Sequence, residues 1–268
     1  MTDRGAGGAF FAFDHVFKSF DGHGVLNDVS FDVRPGETVC IMGRSGVGKS
    51  VTLRLLMGFF QPDAGRVIAA GEDITGWPEE KLTALHKKIT LVFQSGALFD
   101  SLTVGENVAF PLEEAGKMSG AAVAKTVDRL LEMLDIGRFR DEYPAQLSTG
   151  MKRAVAIARA LAAQPQAILY DEPTTMVDPM MVQVIADLMR KVRDQVQLTS
   201  VVVTHDTRLA RRLGDRLVFL DAGQARFFGT VAEMQASPDP VLQSFLKQDE
   251  GSLLAPAPSQ GSLEGAGR

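Results

Sequence analysis

Gly43-Arg44-Ser45-Gly46-Val47-Gly48-Lys49-Ser50 matches the pattern G-x-x-x-x-G-K-[ST] at every constrained position. An apolar run, Val39 to Met42, precedes this stretch, and Val51 to Met57 follows it with the composition of an apolar helix. A strand, a glycine-rich turn and a helix in this order place successive backbone N–H groups around phosphate oxygens, and the helix N-terminus adds its positive end. The context therefore favours a nucleotide-binding loop over a glycine turn that merely precedes a lysine.

Two residues of the loop have distinct expected roles. Lys49 would bridge the β- and γ-phosphates, and the Ser50 hydroxyl would be a ligand of Mg²⁺. The motif predicts binding of ATP or GTP but not the reaction, because many unrelated functions share it. The residues that we assign to nucleotide binding here are Gly43, Arg44, Ser45, Gly46, Val47, Gly48, Lys49, Ser50 and Val51.

Outside this loop, apolar strands alternate with amphipathic helices. Such alternation predicts an α/β fold with a mainly parallel core sheet that is covered by helices. The predicted strands are Val39 to Met42, Ile89 to Phe93, Ala167 to Tyr170 and Ser200 to Val203, and the clearest helices are Lys125 to Leu134, Met151 to Ala162 and Met180 to Val192.

Three segments depart from this rhythm. Phe10 to Val33 has the aromatic and β-branched runs of an antiparallel subdomain, and Arg216 to Gly229 is typical of a terminal hairpin. Residues 95–150 are mostly helical and indicate an inserted helical subdomain. We therefore predict a flexible N-terminus over 1–9, one domain over 10–248 and a disordered tail over 249–268, which is rich in Gly, Ser, Pro and Ala.

Composition excludes several classes of protein. The chain has 28 basic and 33 acidic residues, a formal net charge of −5, which argues against a nucleic-acid binder. A single cysteine, Cys40, excludes an intramolecular disulfide. No apolar run is long enough to cross a bilayer, and the N-terminus makes a poor signal peptide. We expect a cytoplasmic protein that reaches a membrane only through a partner, without inserting into it.

Polar residues stand where several predicted strands end. Asp171 and Glu172 follow one strand, His205 follows another, and Gln94 ends the strand that begins at Ile89. Because the carboxyl ends of parallel strands meet the phosphate loop at one edge of the sheet, Asp171 is placed to hold Mg²⁺ and Glu172 to polarise an attacking water. Gln94 could contact the metal or a water. The competing interpretations are solvated acids at a strand end and a structural histidine.

The order of these motifs resembles that of the ATPases of ABC transporters. The resemblance covers residues 10 to 248 and depends on the full set: the phosphate loop, Gln94, Leu147-Ser-Thr-Gly-Met151, Tyr170-Asp-Glu172, Val177-Asp178 and His205. It implies the P-loop ABC ATPase fold, with an N-terminal antiparallel β subdomain and an inserted helical subdomain. ATP and Mg²⁺ are the implied ligands.

The resemblance also implies further site residues. Ser148 and Gly150 would open a helix whose N-terminus binds the γ-phosphate held by a second subunit, and Asp178 would contact that subunit. Phe20 would stack on adenine, although it could equally be a strand residue in the core. The chain departs from the family pattern at Thr149, Met151 and Met176, which puts the details of dimer closure in question.

The implied mechanism is that of a motor made of two copies. The copies would pair head to tail around two ATP–Mg²⁺ ligands, each bound by one phosphate loop and the other copy's Ser148 and Gly150. Glu172 would activate water, while His205 and Lys49 contact the γ-phosphate and Gln94 senses it and signals to membrane partners. Catalysis would consist mainly of positioning and charge stabilisation.

One string suggests a branch of the family. Phe93-Gln-Ser-Gly-Ala-Leu-Phe99, with Asn107-Val108 beyond it, resembles the ATPases of Mla/Mce-associated phospholipid transport. That branch implies an MlaE-like permease, a STAS-domain regulatory subunit of MlaB type and an Mce-type lipid-binding protein, at the cytoplasmic face of an inner membrane. The alternatives are an importer ATPase for a polar solute, an ABC ATPase acting on nucleic acid or ribosomes, and a regulatory subunit without turnover.

Overall fold

The computed structural model describes residues 8–177 and 179–251. Ten strands and nine α-helices are found in these residues. The strands are β1 (Phe11–Phe20), β2 (His23–Val33), β3 (Thr38–Met42), β4 (Ala64–Ala69), β5 (Glu72–Asp73), β6 (Ile89–Val92), β7 (Ala167–Asp171), β8 (Thr199–Thr204), β9 (Arg216–Asp221) and β10 (Gln224–Thr230). The helices are α1 (Lys49–Leu56), α2 (Glu79–His86), α3 (Val104–Ala115), α4 (Gly120–Met133), α5 (Thr149–Ala162), α6 (Pro179–Val196), α7 (Thr207–Leu213), α8 (Val231–Ala236) and α9 (Pro240–Gly251).

Two sheets organise the chain. The larger has the order β10-β9-β3-β8-β7-β6; its strands from β9 to β6 run parallel, and β10 pairs antiparallel with β9. The smaller has the order β2-β1-β4-β5 and is antiparallel. The α/β class with a mainly parallel core sheet is confirmed, and the predicted antiparallel segment and terminal hairpin are both present.

The parallel sheet is buried on both faces, as its continuous apolar strands require. Along β3, Val39 and Ile41 belong to the core shared with the antiparallel sheet and α1, whereas Cys40 and Met42 belong to the core shared with the helices. The alternation follows from the strand repeat, which points successive side chains to opposite faces. Each polar group at the end of such a strand is therefore held by a rigid, doubly packed element.

The helical insert lies between β6 and β7. Helix α3 begins at a capping box in which Thr103 and Glu106 exchange hydrogen bonds with each other's backbone N–H groups. Helix α4 begins at Gly120, before the predicted Lys125, because the Ser119 hydroxyl accepts a hydrogen bond from the Ala122 N–H and satisfies that end. The insert ends at α5, which packs in the helical core.

The predicted termini fall largely outside the described residues. Residues 1–7 and 252–268 belong there, so the flexible N-terminus and the disordered tail stay predictions. Helix α9 continues through Gly251, past the predicted limit at 248, and its Phe245 packs against Phe219 with 5.0 Å between ring centroids. Among the described helices, none is long and apolar enough to cross a bilayer.

Candidate functional site

A cleft of about 420 Å³ opens at the carboxyl edge of the parallel sheet. It lies where the loops after β3, β6, β7 and β8 meet, the position at which open α/β sheets bind ligands. The residues that line it are Val25, Ser45, Gly46, Gly48, Lys49, Ser50, Val51, Gln94, Glu172, Thr175 and His205. The structure thus brings Gln94, Glu172 and His205 together with the phosphate loop, from segments far apart in the chain.

The phosphate loop takes a path that only glycine can follow at two of its positions. Gly43 has φ +154°, and a Cβ there would lie 2.4 Å from the Leu220 carbonyl oxygen. Gly48 has φ +104° and would bring a Cβ within 2.7 Å of Leu26 Cδ2. The backbone is consequently pressed against β9 and β2 directly before α1. A tight glycine turn at the N-terminus of a helix suits phosphate oxygens, which backbone N–H groups can bind there.

Lys49 is held in place from three sides. Its Nζ donates hydrogen bonds to the Gly43 carbonyl oxygen at 3.0 Å and to the Arg44 carbonyl oxygen at 3.1 Å, and lies 3.1 Å from Glu172 Oε1. Only 5% of the side chain is exposed. The long, flexible stem of a lysine is thereby fixed with its ammonium group at the floor of the cleft. A preorganised cation of this kind suits a phosphate ligand.

Ser50 and Asp171 form the oxygen-rich part of the site. The Ser50 hydroxyl donates to Asp171 Oδ1 at 2.9 Å. Burial raises the pKa of Asp171, with the Glu172 charge adding to the increase and the Ser50 hydrogen bond opposing it. Among the described residues no cluster of three or more His, Cys, Asp or Glu could hold a metal by itself.

Glu172 lies between two cationic or potentially cationic groups. Its Oε2 is 2.8 Å from His205 Nδ1 and also accepts from the Thr175 hydroxyl at 3.2 Å. Burial by itself would raise the pKa of Glu172, but the His205 hydrogen bond and the Lys49 charge outweigh it, so the pKa lies below its usual value. The same hydrogen bond raises the pKa of His205. Glu172 is thus ionised at neutral pH.

The backbone of Glu172 has a φ of +48°, in the left-handed region that non-glycine residues rarely adopt. The turn begins directly after Asp171, and the Thr175 N–H donates to the Glu172 carbonyl oxygen at 3.2 Å. The turn separates the two neighbouring carboxylates, one towards Ser50 and the other towards Lys49 and His205. Strain of this kind is concentrated at functional sites.

Of the remaining predicted residues, Val51 and Gln94 belong to the cleft lining, whereas Val47 and Arg44 do not. Val47 is partly buried against the core below the antiparallel sheet, and Arg44 contributes its carbonyl oxygen to Lys49. Val51 is the third residue of α1 and lines the cleft. Gln94 is exposed and lines the cleft from the turn after β6.

The structure does not bring every predicted residue to the cleft. Phe20 is 36% exposed and packs edge-on against Phe60, with 5.1 Å between ring centroids and the Lys18 ammonium 5.1 Å from its ring. Ser148 and Gly150 lie at the start of α5, where the Ser148 hydroxyl caps the Met151 N–H at 3.3 Å. Asp178 lies outside the described residues. The assigned roles of these residues stay predictions.

Two cleft residues were not predicted from the sequence. Val25, on β2, lines the cleft beside the phosphate loop, and nothing in the local pattern singles it out. Thr175 contacts Glu172, and a signal was available: a hydroxyl three residues after an acid in a Pro-Thr-Thr turn is well placed for a local hydrogen bond.

The fold and the cleft define an ATP-binding cassette. The ABC transporter family matches residues 26–175, so the chain belongs to that family. Among solved structures, the ATP-binding cassette MJ0796, a dimer in a post-hydrolysis state with ADP and Pi, shares 34% identity at a TM-score of 0.74 over 82% of this chain and 98% of that one. The cbiO1 protein of Clostridium perfringens, part of the ABC transporter complex cbiONQ, shares 26% identity at a TM-score of 0.80 over 92% of this chain and 98% of its own.

Curated relatives carry a more specific name. The methionine import ATP-binding protein MetN of Cupriavidus metallidurans is 41% identical over 80% of this chain and 62% of its own length. The MetN protein of Caulobacter vibrioides is 38% identical over 93% of this chain and 75% of its own length. The match to the first of these relatives therefore spans less than two thirds of that protein.

These relatives correct one prediction. The resemblance to Mla/Mce-associated lipid transport is wrong, because the relatives at 36–41% identity are named as methionine import ATPases. The implied MlaE-like, MlaB-like and Mce-type partners lose their support with it. The structure supplies a physical reason: the string from Phe93 to Phe99 forms a turn held by α5 within the chain, through hydrogen bonds to Phe93 and Gly96. Such a turn does not specify a transported substrate.

Proposed function

We propose that this chain is the ATP-hydrolysing subunit of an ABC importer whose cargo is a small polar solute of the amino-acid class. The observation that carries the hydrolytic part is the position of Glu172, between Lys49 and His205 in the cleft of the phosphate loop. Support for the importer part comes from the relatives named for methionine import. The sequence itself leaves an importer for a polar solute open beside lipid transport.

The phosphate loop and Lys49 would bind the triphosphate. The loop offers backbone N–H groups at the start of α1, and Lys49 contributes a positive charge that its three contacts hold at the floor of the cleft. Ser50 and Asp171 fit Mg²⁺, which binds through one or two carboxylates together with substrate phosphates. When bound, Mg²⁺ would neutralise charge on the phosphates.

Glu172 would act as the base that polarises the attacking water. Its pKa lies below the usual value, so the carboxylate is available to accept a hydrogen bond from water at neutral pH. The Thr175 hydroxyl donates a hydrogen bond to Oε2, and His205 Nδ1 lies 2.8 Å from the same oxygen. These two contacts fix the direction of the carboxylate. Gln94 faces the same cleft and would contact the metal or the water.

The working unit would be two copies of the chain. Ser148 and Gly150 do not line the cleft of their own chain, yet they begin a helix of the kind whose N-terminus attracts anions. A head-to-tail pair would place them against the nucleotide of the other copy, and the solved dimer of a similar cassette supports such pairing. Membrane permease subunits would hold the pair at the inner membrane.

An ATPase assay tests the hydrolytic assignment. Purified chain should hydrolyse ATP, and Glu172→Gln should lower kcat by about a hundredfold or more while binding of ATP persists, since the amide cannot act as a base. Glu80→Gln, at an exposed acid in the first turn of α2, is the matched control and should leave kcat unchanged. Equal turnover by native protein and Glu172→Gln would contradict the proposal.

The dimer and the cargo need separate measurements. With Mg²⁺ and ATP, Glu172→Gln should elute as a dimer in gel filtration, and adding Ser148→Arg should return it to monomer without loss of ATP binding. For the cargo, the chain is reconstituted with its permease in vesicles. ATP-driven uptake of labelled methionine, absent with Glu172→Gln, would support the importer assignment, whereas ATP-driven phospholipid movement without amino-acid uptake would contradict it.

A further inference from the structure

Two arginines of α5 point at one turn of the chain. Arg153 Nη1 donates to the Phe93 carbonyl oxygen at 3.4 Å, and Arg159 Nη2 donates to the Gly96 carbonyl oxygen at 3.0 Å. The same turn is closed by a hydrogen bond from the Gly96 N–H to the Phe93 carbonyl oxygen at 2.9 Å. Gln94 lies inside this turn and lines the cleft.

Both guanidinium groups lack a carboxylate partner among the described residues. Arg153 is 6% exposed, and its Nε is buried without a hydrogen-bond partner. Burial lowers the pKa of Arg153 and of Arg159, with no acid to offset it. The Arg159 guanidinium also lies 5.6 Å from the centre of the Phe99 ring. Carbonyl dipoles and an aromatic face are therefore the groups that stabilise these two cations.

This arrangement ties the conformation of the turn to α5. If the turn moved away, two partly desolvated cations would lose their acceptors, and an unsatisfied buried charge is costly. Gly96 also lies directly on the helix: a Cβ at this position would be 3.5 Å from Ala156 Cβ and 3.8 Å from Arg153 Nη1. The turn is therefore both packed against the helix and hydrogen-bonded to it.

The far end of the same segment is held by α3. Asn107 is fully buried; its Oδ1 accepts from the Phe99 N–H at 2.9 Å, and its Nδ2 donates to the Phe99 carbonyl oxygen at 3.0 Å. The stretch from Phe93 to Phe99 is thus clamped at both ends by side chains of the helical insert. Gln94 is the one residue of this stretch that lines the cleft.

We propose that Arg153 and Arg159 are positioning residues for Gln94, fixing its turn to α5 so that Gln94 and the N-terminus of α5 keep one mutual arrangement. The inference rests on the proposed function in one respect: Gln94 must contribute to ATP hydrolysis. Neither arginine lines the cleft, so their effect on turnover would pass through the turn that carries Gln94.

A double-mutant cycle tests this route. Arg159→Met should lower kcat about tenfold and leave the KM for ATP within about twofold, since the phosphate loop is untouched. In a Gln94→Ala background, Arg159→Met should change kcat by less than about twofold, because the residue that it positions is already gone. Equal factors in both backgrounds would overturn the proposal. Arg190→Met, at an exposed arginine of α6 paired with Asp194, is the control and should change nothing.

Two more variants guard against a merely structural effect. Arg159→Lys keeps the cation and one donor, so it should retain most of the native kcat; a loss as large as that of Arg159→Met would count against the hydrogen bond to Gly96. Arg153→Met should show the same dependence on Gln94. If Arg159→Met fails to fold, as judged by thermal unfolding, the cycle is decided by Arg153→Met instead.

Hydrogen exchange tests the clamp without any turnover. In the native chain, peptides that cover residues 93–99 should exchange slowly, and Arg159→Met should speed the exchange of the Gly96 amide by about tenfold. Unchanged exchange would overturn the inference. The two proposals can also fail separately. If the native chain has no ATPase activity but Arg159→Met still speeds the exchange of the Gly96 amide, the proposed function is refuted while the contact between the arginines and the turn is supported.

Discussion

Lys49 Nζ and Glu172 Oε1 lie 3.1 Å apart, and the two side chains are only 5% and 13% exposed. Lys49 comes from the loop after β3, and Glu172 comes from the turn after β7. Coulomb attraction at such low exposure is screened far less than at the surface. Lys49 therefore helps to keep Glu172 ionised, and each side chain orients the other. The pair joins the phosphate-binding half of the cleft to the half that would activate water.

Replacing Lys49 should remove the positive charge that links these two halves of the cleft and weaken the binding of ATP. Lys49→Met keeps much of the apolar stem but removes the ammonium group, so affinity for ATP should fall by about a hundredfold or more. Titration with a fluorescent ATP analogue measures the change. Lys88→Met, at a half-buried lysine that pairs with Glu72 at 3.2 Å away from the cleft, is the control and should bind ATP normally. Affinity of Lys49→Met within about threefold of native would contradict the assigned role.

The pKa of His205 should lie above that of a free histidine. Its hydrogen bond to Glu172 raises the pKa, with the charges of Glu172 and Asp206 adding to the increase while burial and Lys49 oppose it. The group contributes stability that is fully present below about pH 6.5, the unfolded value, and that is lost as the pH rises through the folded value. NMR titration of the imidazole measures this directly. In Glu172→Gln the pKa should fall, and an unchanged pKa would show that Glu172 is not the cause.

Two glycines of the phosphate loop offer a matched comparison. Gly46 has φ +83° with open space around it, whereas Gly48 has φ +104° with Leu26 and Val25 in the way of a Cβ. Gly46→Ala should lower the unfolding free energy by about 1 kcal/mol, because only backbone strain opposes it. Gly48→Ala should lower it by about 2 kcal/mol more, because the new Cβ also overlaps with Leu26 and Val25. Urea denaturation measures both. Equal costs would mean that the loop relaxes away from β2.

Arg216, on β9, joins the parallel sheet to Asp32 on β2 and to Glu37 just before β3. Its Nη2 donates to Asp32 Oδ2 at 2.8 Å and to Glu37 Oε2 at 2.6 Å, and its guanidinium lies 4.5 Å from the Phe228 ring centre. The side chain is 14% exposed. Arg216→Met should lower the unfolding free energy by about 2–4 kcal/mol, since two carboxylates lose their partner.

The control for Arg216 is a second arginine with similar hydrogen bonds at the surface. Arg66 donates through Nε and Nη2 to Asp14, and its side chain is 61% exposed. Arg66→Met should leave the Tm nearly unchanged, because solvent screens the pair. A comparable loss of Tm in both variants would show that burial does not set the strength of the Arg216 cluster.

The parts of the site that the sequence predicted are those that local pattern determines. The phosphate loop and the acids at the end of β7 were found because an apolar strand before a polar residue fixes where the side chain emerges. Because β3 and β7 belong to one parallel sheet, Lys49 and Glu172 lie at the same edge of it, and no other feature of the sequence is needed to predict that they are close. His205 and Gln94 followed from the same rule applied to β8 and β6.

The parts that the sequence missed depend on packing between distant segments. Val25 reaches the cleft only because β2 lies against the phosphate loop, and Arg153 finds the turn at Phe93 across 60 positions of the chain. Phe20, for which the resemblance implies stacking on adenine, packs edge-on against Phe60 and is not among the residues that line the cleft, so its role stays a prediction. Contacts between side chains of distant segments cannot be predicted from the periodicity of the sequence.

Thr175 gives the final test, because it is the missed cleft residue that touches the proposed base. Its hydroxyl donates to Glu172 Oε2 at 3.2 Å, so Thr175→Val should loosen the carboxylate and lower kcat by about three- to tenfold while the affinity for ATP stays the same. Thr126→Val removes a half-buried hydroxyl that donates to the Ala122 carbonyl oxygen at 2.9 Å in α4, so it is the matched control and should leave kcat unchanged. If both variants had native kcat, Glu172 would be held by Lys49 and His205 alone, and Thr175 would be part of the wall of the cleft with no share in turnover.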